Sequence, residues 1–559
     1  MSSVNKGKNK KPTEVIIKPD RTQFYSWAVL GLIMIFVTVI RIRILGIPLE
    51  RDEGEYAYMG QLILQGISPY KIAYNLKFPG TYYMYAFFMS IFGQSVTAIH
   101  IGLLIVNLFS IILLYLLVKK LISSYAAIAA AACFAIMSIS IPVYGFAGHA
   151  THFVLLFALA GTLLLFKSIT ENKFSYYFWA GLLLGFAPIM KQPGVFFPLS
   201  GGLFLLISSF INWKSGRKVL AKRIIYFAAG GIIPLLLMAV FLKISGVFDR
   251  FWFWTIKYAF EYGQSTTANE AYNHFTSTFI PLWDSFYPLL ILAALGLPAL
   301  FFHPELRKDQ RKLFILLFVL FSVLSICPGL VFREHYYITL LPAVAILFAV
   351  FIDYGLELSK QFSRLKLIKH LSFILLIIAA AAGIIKQYDY LFVQSPEDIC
   401  RSVYGSNPFP ESIAIAKYIE ANSKKDDKIA ILGSEPELYF YANRHSASGY
   451  IYTYSLMDNQ PDSLKMQQEM ISEIESSMPE YVIYFNIPSS WMMRPNSDKY
   501  IFSWIGPFLD KNKYEIKAIG DVLPDETIMK WDSEALNYNL QSKYFILVLR
   551  KPHSPLTGN

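Results

Sequence analysis

Directly after its first apolar run the chain reads Arg51-Asp52-Glu53-Gly54-Glu55-Tyr56-Ala57-Tyr58, four charges in five positions. A carboxylate so placed can take a proton from an acceptor hydroxyl. Cations, or a divalent metal ion, can neutralise a departing phosphate. Arg41 and Arg43 precede the cluster, and Lys71 and Lys77 follow it. Such groups converging at a membrane surface suit a phosphate-bearing substrate; a solvated interfacial turn is the plainer alternative. Lys191 stands beside Gln192 and Pro193 at the end of another apolar run. A cation at that depth is costly unless an anion pairs with it, so it reads as a donor-phosphate contact or as a snorkelling lysine. His149 and His152 are three apart at a span end. On one helix face they would hold a metal ion, or else make interfacial hydrogen bonds. Glu261, Glu270 and His274 read as a solvated face, and Phe251-Trp252-Phe253-Trp254 as an interfacial anchor. Gly433-Ser434-Glu435 lacks the G-x-S-x-G of a nucleophile elbow and reads as a strand-to-helix turn.

The elements that must position these groups follow from composition. Hydrophobic residues make up 55% of the 559-residue chain and charged ones 16%, against about 25% in soluble domains. A mean hydropathy of +0.43 excludes most soluble enzymes as well as disorder. Apolar runs of membrane-spanning length recur near 24–46, 97–118, 121–141, 150–168, 176–191, 194–211, 223–245, 283–302, 311–328, 336–355 and 370–387. The chain therefore reads as an α-helical polytopic membrane protein of about eleven spans. The net charge of +11 does not point to nucleic acid, because the basic residues sit between the apolar runs. Lys and Arg concentrate in residues 1–23 and in alternate connections, which predicts a cytoplasmic basic tail and an odd number of spans after it. No small-x-small cleavage site follows the first run, so no removable signal peptide is expected. Three cysteines support neither a disulfide framework nor a metal cluster.

This reading divides the chain into the tail 1–23, a membrane region 24–390 with long outside loops 46–96 and 246–282, and an extracytoplasmic α/β domain 391–559. In the last part, helical spacing at Glu411–Asn422 precedes short strands at Lys428–Leu432, Tyr481–Phe485, Tyr514–Ile519 and Tyr544–Leu549.

Asp52-Glu53-x-x-Tyr56-Ala57 after the first span resembles the first-loop motif of the C-type (GT-C) glycosyltransferases, in particular the aminoarabinose transferases and the protein O-mannosyltransferase-like enzymes. Lys77-Phe78-Pro79-Gly80 with Tyr82, Tyr83 and Tyr85 is similar to a second motif, although relatives often have Lys and Pro adjacent. Arg333-Glu334-His335-Tyr336-Tyr337 followed by Leu341-Pro342 is similar to a third. The resemblance covers residues 24–355. It implies an active site at the outer membrane face and a polyprenyl-phosphate sugar as donor. It further implies that Asp52 is catalytic with Glu53 in support, and that Lys77, Arg333 and Tyr336 bind the donor phosphate, where Lys191 joins them. The acceptor would be a lipid, glycan or protein, and the transfer a single, inverting displacement. A transporter or flippase of lipid-linked glycans is the competing class. Such proteins show repeat symmetry and mid-membrane ionisable groups, whereas here the ionisable groups cluster outside the spans.

Overall fold

The computed structural model describes residues 21–171, 173–211, 217–264, 266–361, 366–524 and 526–552. Most of the tail 1–23 lies outside the described residues. Helices stand at all eleven expected places, beginning with Arg21–Arg43 and ending with Lys366–Lys386. Among the described residues, six helices are long and apolar enough to cross a membrane, and the shorter apolar helices include Ser124–Ser138 and Phe174–Met190. Phe174–Met190 and Phe196–Ile211 are separated by an extended Lys191 and a 3-10 turn, Gln192–Val195.

The two expected loops are largely helical. Residues 46–96 hold Arg51–Leu64 and Gly80–Phe92. The 246–282 segment runs through Phe248–Trp252, a π-helical turn Phe253–Tyr258 and Ala259–Gln264 into Ala268–Phe302. That last helix starts at a capping box: the Thr267 hydroxyl accepts from the Glu270 N–H, and the Glu270 carboxylate accepts from Thr267. It kinks at Phe286 between Pro281 and Pro288. The expected span at 336–355 is instead a 3-10 turn, Glu334–Thr339, followed by Leu341–Gln361.

Arg51–Leu64 forms because Glu50 caps it, its carboxylate accepting the Glu53 N–H at 2.9 Å, and because Asp52 and Glu53 face the positive end of the helix dipole. The helix is no surface turn; eleven of its fourteen residues are buried. One covering layer comes from the C-terminal part of the chain. There a five-stranded mixed sheet has the order β1-β2-β5-β3-β4, with β1 Ile429–Leu432, β2 Tyr481–Asn486, β3 Glu515–Val522, β4 Thr527–Trp531 and β5 Phe545–Arg550. Four strands match the sequence pattern. β4 adds an antiparallel edge that the pattern did not reveal, its five residues being half-buried throughout. β1 and β2 pair in parallel, so the chain between them must cross over. That crossover carries Glu437–Ala442, which packs on Arg51–Leu64. A Cβ on Gly54 would lie 2.5 Å from Glu437 Cβ, so only glycine admits this approach. Tyr58 stacks on Tyr439 at 5.1 Å, and the Ser446 N–H donates to the Tyr58 hydroxyl at 2.8 Å.

A buried ion pair locks the two parts together. Arg51 donates to Glu435 Oε1 at 2.9 Å, to the Ser434 carbonyl at 2.8 Å and to Asn407 at 2.7 Å. Burial and the Glu435 charge push the Glu437 carboxyl upward, and Glu435 is the carboxylate that faces Arg51. Glu435→Ala leaves a buried guanidinium without its carboxylate and should cost about 3–5 kcal/mol, read as a lower thermal midpoint of the purified protein in detergent. The double variant Arg51→Met/Glu435→Leu should recover most of that loss. A wild-type midpoint in the single variant would show that the pair does not hold the interface.

Candidate active site

Asp52 and Glu55 are three apart on Arg51–Leu64 and project to one side. Lys77 reaches both: its Nζ lies 2.6 Å from Asp52 Oδ1 and 2.6 Å from Glu55 Oε2. Glu55 Oε1 also accepts from the Tyr82 hydroxyl at 2.6 Å, and the Tyr70 hydroxyl fixes the Lys77 carbonyl at 2.6 Å. The Lys77 ammonium lies 4.8 Å from the centre of the Tyr56 ring. A further donor comes from the C-terminal part, the Tyr452 hydroxyl at 3.1 Å from Asp52 Oδ1. Burial alone would raise the Asp52 carboxyl. The Lys77 charge, aided by Lys191, overrides it and holds Asp52 well below the usual carboxylate range. Burial raises Glu55, with Lys77 opposing. Asp52 is thus held as a carboxylate at the cavity.

Asp52 Oδ2 faces two imidazoles, His149 Nδ1 and His335 Nε2, each at 4.0 Å. The rings stack with centroids 4.0 Å apart and planes 14° apart. Burial brings His149 down to about 4 and, with the neighbouring cations, lowers His335 as well, so both are neutral at physiological pH. One ligand atom each from Asp52, His149 and His335 falls within a 4.8 Å set. Neither His149 nitrogen has a hydrogen-bond partner although both are buried. One carboxylate and two neutral imidazoles, with orphaned ring nitrogens, fit a divalent cation.

The expected pairing of His149 with His152 is not the one formed. His149 precedes the helix that begins at Ala150, so the three-residue spacing does not place both rings on a common face. His152 is buried away from the cavity, and His335, distant in sequence, takes its place.

Glu53 points beneath the site. Its Oε1 accepts the Gly148 N–H at 2.6 Å and lies 3.1 Å from His100 Nε2, while His100 Nδ1 meets the Leu45 carbonyl at 2.8 Å. The Tyr85 hydroxyl donates to the Gly148 carbonyl at 2.9 Å. Glu53 therefore fixes the turn that carries His149 and does not line the cavity. Arg41 and Arg43 also stay outside it. Arg41 is buried on Asn107 at 3.0 Å and on the carbonyls of Ser138 and Gly145; Arg43 donates to the carbonyls of Gln394 and Tyr390.

A cavity of about 360 Å³ brings together Asp52, Lys77, His149, Lys191, Arg333, His335 and Tyr336. Lys191 Nζ sits 3.9 Å from the centre of the Tyr336 ring. Burial, helped by Lys77 and Arg333 and opposed by Asp52, brings Lys191 down to about 7. Neither Lys191 nor Arg333 forms an ion pair with a carboxylate of the described residues. The segment before Arg333 is strained: Gly329, Leu330 and Phe332 have φ of 70°, 52° and 42°. That turn delivers Arg333, His335 and Tyr336 to the cavity. Sequence reading missed Glu55, Tyr452 and Tyr454. Glu55 had a signal, its i, i+3 relation to Asp52; the two tyrosines had none.

Residues 77–243 match the family described as dolichyl-phosphate-mannose-protein mannosyltransferase, a stretch that includes Lys77, His149 and Lys191. No curated protein matches the chain. Among solved structures, the apo oligosaccharyltransferase of Archaeoglobus fulgidus is similar with a TM-score of 0.56 at 11% identity, over 92% of this chain and 75% of that one. ArnT from Cupriavidus metallidurans, solved bound to undecaprenyl phosphate, is similar with a TM-score of 0.56 at 13% identity, over 94% and 98%. The A. fulgidus enzyme AglB, in complex with an inhibitory peptide and a dolichol-phosphate, gives 0.53 at 11%, over 93% and 76%. The chain is a polytopic membrane protein with the C-type (GT-C) glycosyltransferase fold, and a stretch of its membrane region matches the protein mannosyltransferase family.

Proposed function

We propose that this protein is an integral-membrane glycosyltransferase that moves a sugar from a polyprenyl-phosphate donor to an acceptor hydroxyl. The observation that carries the reading is the cavity itself. An ionised carboxylate, Asp52, stands in one space with two cations that lack a carboxylate partner, the half-buried Lys191 and Arg333 at the open side. A half-buried ammonium without an anion is costly, and a phosphate would satisfy Lys191 and be reached by the Arg333 guanidinium as well. The ligands of the similar structures, undecaprenyl phosphate in ArnT and dolichol-phosphate in AglB, support a polyprenyl phosphate in that role. Tyr336 backs Lys191 and so orients it.

In the transfer, the acceptor oxygen attacks the anomeric carbon as the bond from that carbon to the phosphate oxygen breaks. The electron pair leaves with the phosphate, beside Lys191 and Arg333, and the anomeric centre inverts. Asp52 Oδ1 is held by Lys77 and Tyr452, which leaves Oδ2 for the acceptor proton. A carboxylate of low pKa is a weak base, so it takes the proton late, once bond formation has acidified the hydroxyl. A divalent cation on Asp52, His149 and His335 would supply Lewis acidity toward the same oxygens. We place the site and the C-terminal sheet on the outer side, because the basic connections lie at the other ends of the spans.

Three outcomes test this. Asp52→Asn should fold and lose about 10²-fold or more in transfer of labelled sugar from polyprenyl phosphate in membranes. Glu53→Gln should instead lower the thermal midpoint, because it loosens the His149 turn. Normal turnover by a well-expressed Asp52→Asn protein ends the catalytic assignment. For the phosphate site, undecaprenyl phosphate binding should weaken several-fold between about pH 6.5 and about pH 8.5, as Lys191 loses its proton; Lys191→Arg, which stays charged, should flatten the profile. Identical profiles for the two proteins would remove Lys191 from the site. For sidedness, a reporter active only in the cytoplasm, fused after Asn559, should be silent, and robust activity would reverse the orientation.

A further inference from the structure

Beyond the cations, the cavity has a second and different wall. The residues that line it from positions 254–262 and from 404–492 are all uncharged. Most are aromatic, with Trp254 and Tyr258 from the π-helical strap and Tyr452 and Tyr454 from the C-terminal part; Tyr74 joins them from the first loop. The rings are interlocked. Trp254 meets Tyr258 at 5.3 Å and 71°, Tyr452 meets Tyr454 at 5.1 Å and 75°, and Tyr74 stacks on Trp254 at 6.1 Å.

Their hydroxyls are already engaged. Tyr258 donates to Asp458 at 2.7 Å, Tyr454 to the Ser489 carbonyl at 2.7 Å, Tyr74 to Glu473 at 3.0 Å and Tyr452 to Asp52 at 3.1 Å. A bound tyrosine hydroxyl leaves ring surface as what the residue offers a ligand, and here the half-buried Tyr452 and Tyr454 present it, with Trp254, Tyr258 and Tyr74 buried behind them as support. The strap meets the C-terminal part through two surface ion pairs, Arg250 to Glu469 at 3.0 Å and Lys257 to Asp462 at 2.8 Å.

We propose that this wall is the acceptor subsite and that it takes an uncharged sugar unit, which presents one hydroxyl to Asp52. This rests on the glycosyltransferase reading above. A pyranose has apolar C–H faces that lie on aromatic rings, and a rim of hydroxyls that reach polar neighbours; the wall offers Ser455 and Ser489 for these. A phosphorylated acceptor would need a second set of cations. The cavity's partnerless cations, Lys191 and Arg333, serve the donor phosphate, and Lys77 is held between Asp52 and Glu55. A basic peptide would need carboxylates, and this wall has none. The transfer then joins two sugars: the acceptor oxygen bonds to the donor's anomeric carbon, its proton passes to Asp52, and polyprenyl phosphate leaves.

The test uses the full-length protein in lipid nanodiscs, saturated with undecaprenyl phosphate so that the cationic subsite is filled. It is then presented with an array of neutral glycans, phosphorylated glycans and Ser/Thr peptides. Neutral glycans should bind, with saturation transfer from aromatic protons to the sugar C–H groups. Tyr454→Leu should weaken that binding about tenfold or more, while Tyr454→Phe, which keeps the ring, should retain it. Undecaprenyl phosphate affinity should be unchanged in both variants, which also shows that they fold. Binding by phosphorylated glycans or peptides alone, or by no neutral glycan, overturns the acceptor assignment and leaves the donor reading standing. Failure of the wild-type protein to bind undecaprenyl phosphate strikes the donor reading instead.

Discussion

The ammonium of Lys77, 2.6 Å from both Asp52 and Glu55, is the contact around which one end of the helical bundle is organised. Two carboxylates on adjacent helical turns cannot be buried together without a cation, since desolvation would force a proton onto each. Lys77 supplies that cation, and the chain from Gln65 to Pro79 folds back over the helix to bring it there. Tyr70 holds its carbonyl, Tyr82 holds the far side of Glu55, and Tyr56 lies under the ammonium. The outcome is asymmetric: Asp52 keeps its charge at the cavity, and Glu55 is the interior half of the clamp.

Asymmetry also runs through the cavity. Its membrane-region side carries Lys191 and Arg333, placed by a break between two helices and by a strained turn. Its other side is aromatic and neutral, built from the strap and the C-terminal part. A donor that has an anionic head and a lipid tail, and an acceptor that has neither, would meet between them at Asp52. The C-terminal sheet is therefore more than a cover. Through Glu435 it holds Arg51, the neighbour of Asp52, and through Tyr452 it touches Asp52 itself. Gly54 is the hinge of this arrangement in the steric sense, because any larger residue would push Glu437–Ala442 off the helix.

Glu53 and Glu55 show how neighbouring residues of one motif part company. In sequence both stand beside Asp52 with equal claim. On a helix, one residue onward from Asp52 turns about a hundred degrees away, and three residues onward nearly returns to the same side. Glu53 therefore supports the Gly148 turn from below, and Glu55 shares the lysine with Asp52. The same geometry separates His149 from His152, since the first precedes the helix and the second lies within it.

Much of the fold was legible because its signals are local. Apolar runs of spanning length locate the helices, and alternation and β-branched runs locate four strands. The motifs with Asp52, Lys77 and Arg333 name polar residues that a lipid-facing position would not tolerate. What sequence alone could not contain is convergence. Asp52 and Tyr452 are four hundred residues apart, His149 and His335 nearly two hundred, and no periodicity links them. Such pairs exist because burying charged groups at the head of a helical bundle requires partners from every direction. Only the packed tertiary structure decides which residues answer that demand.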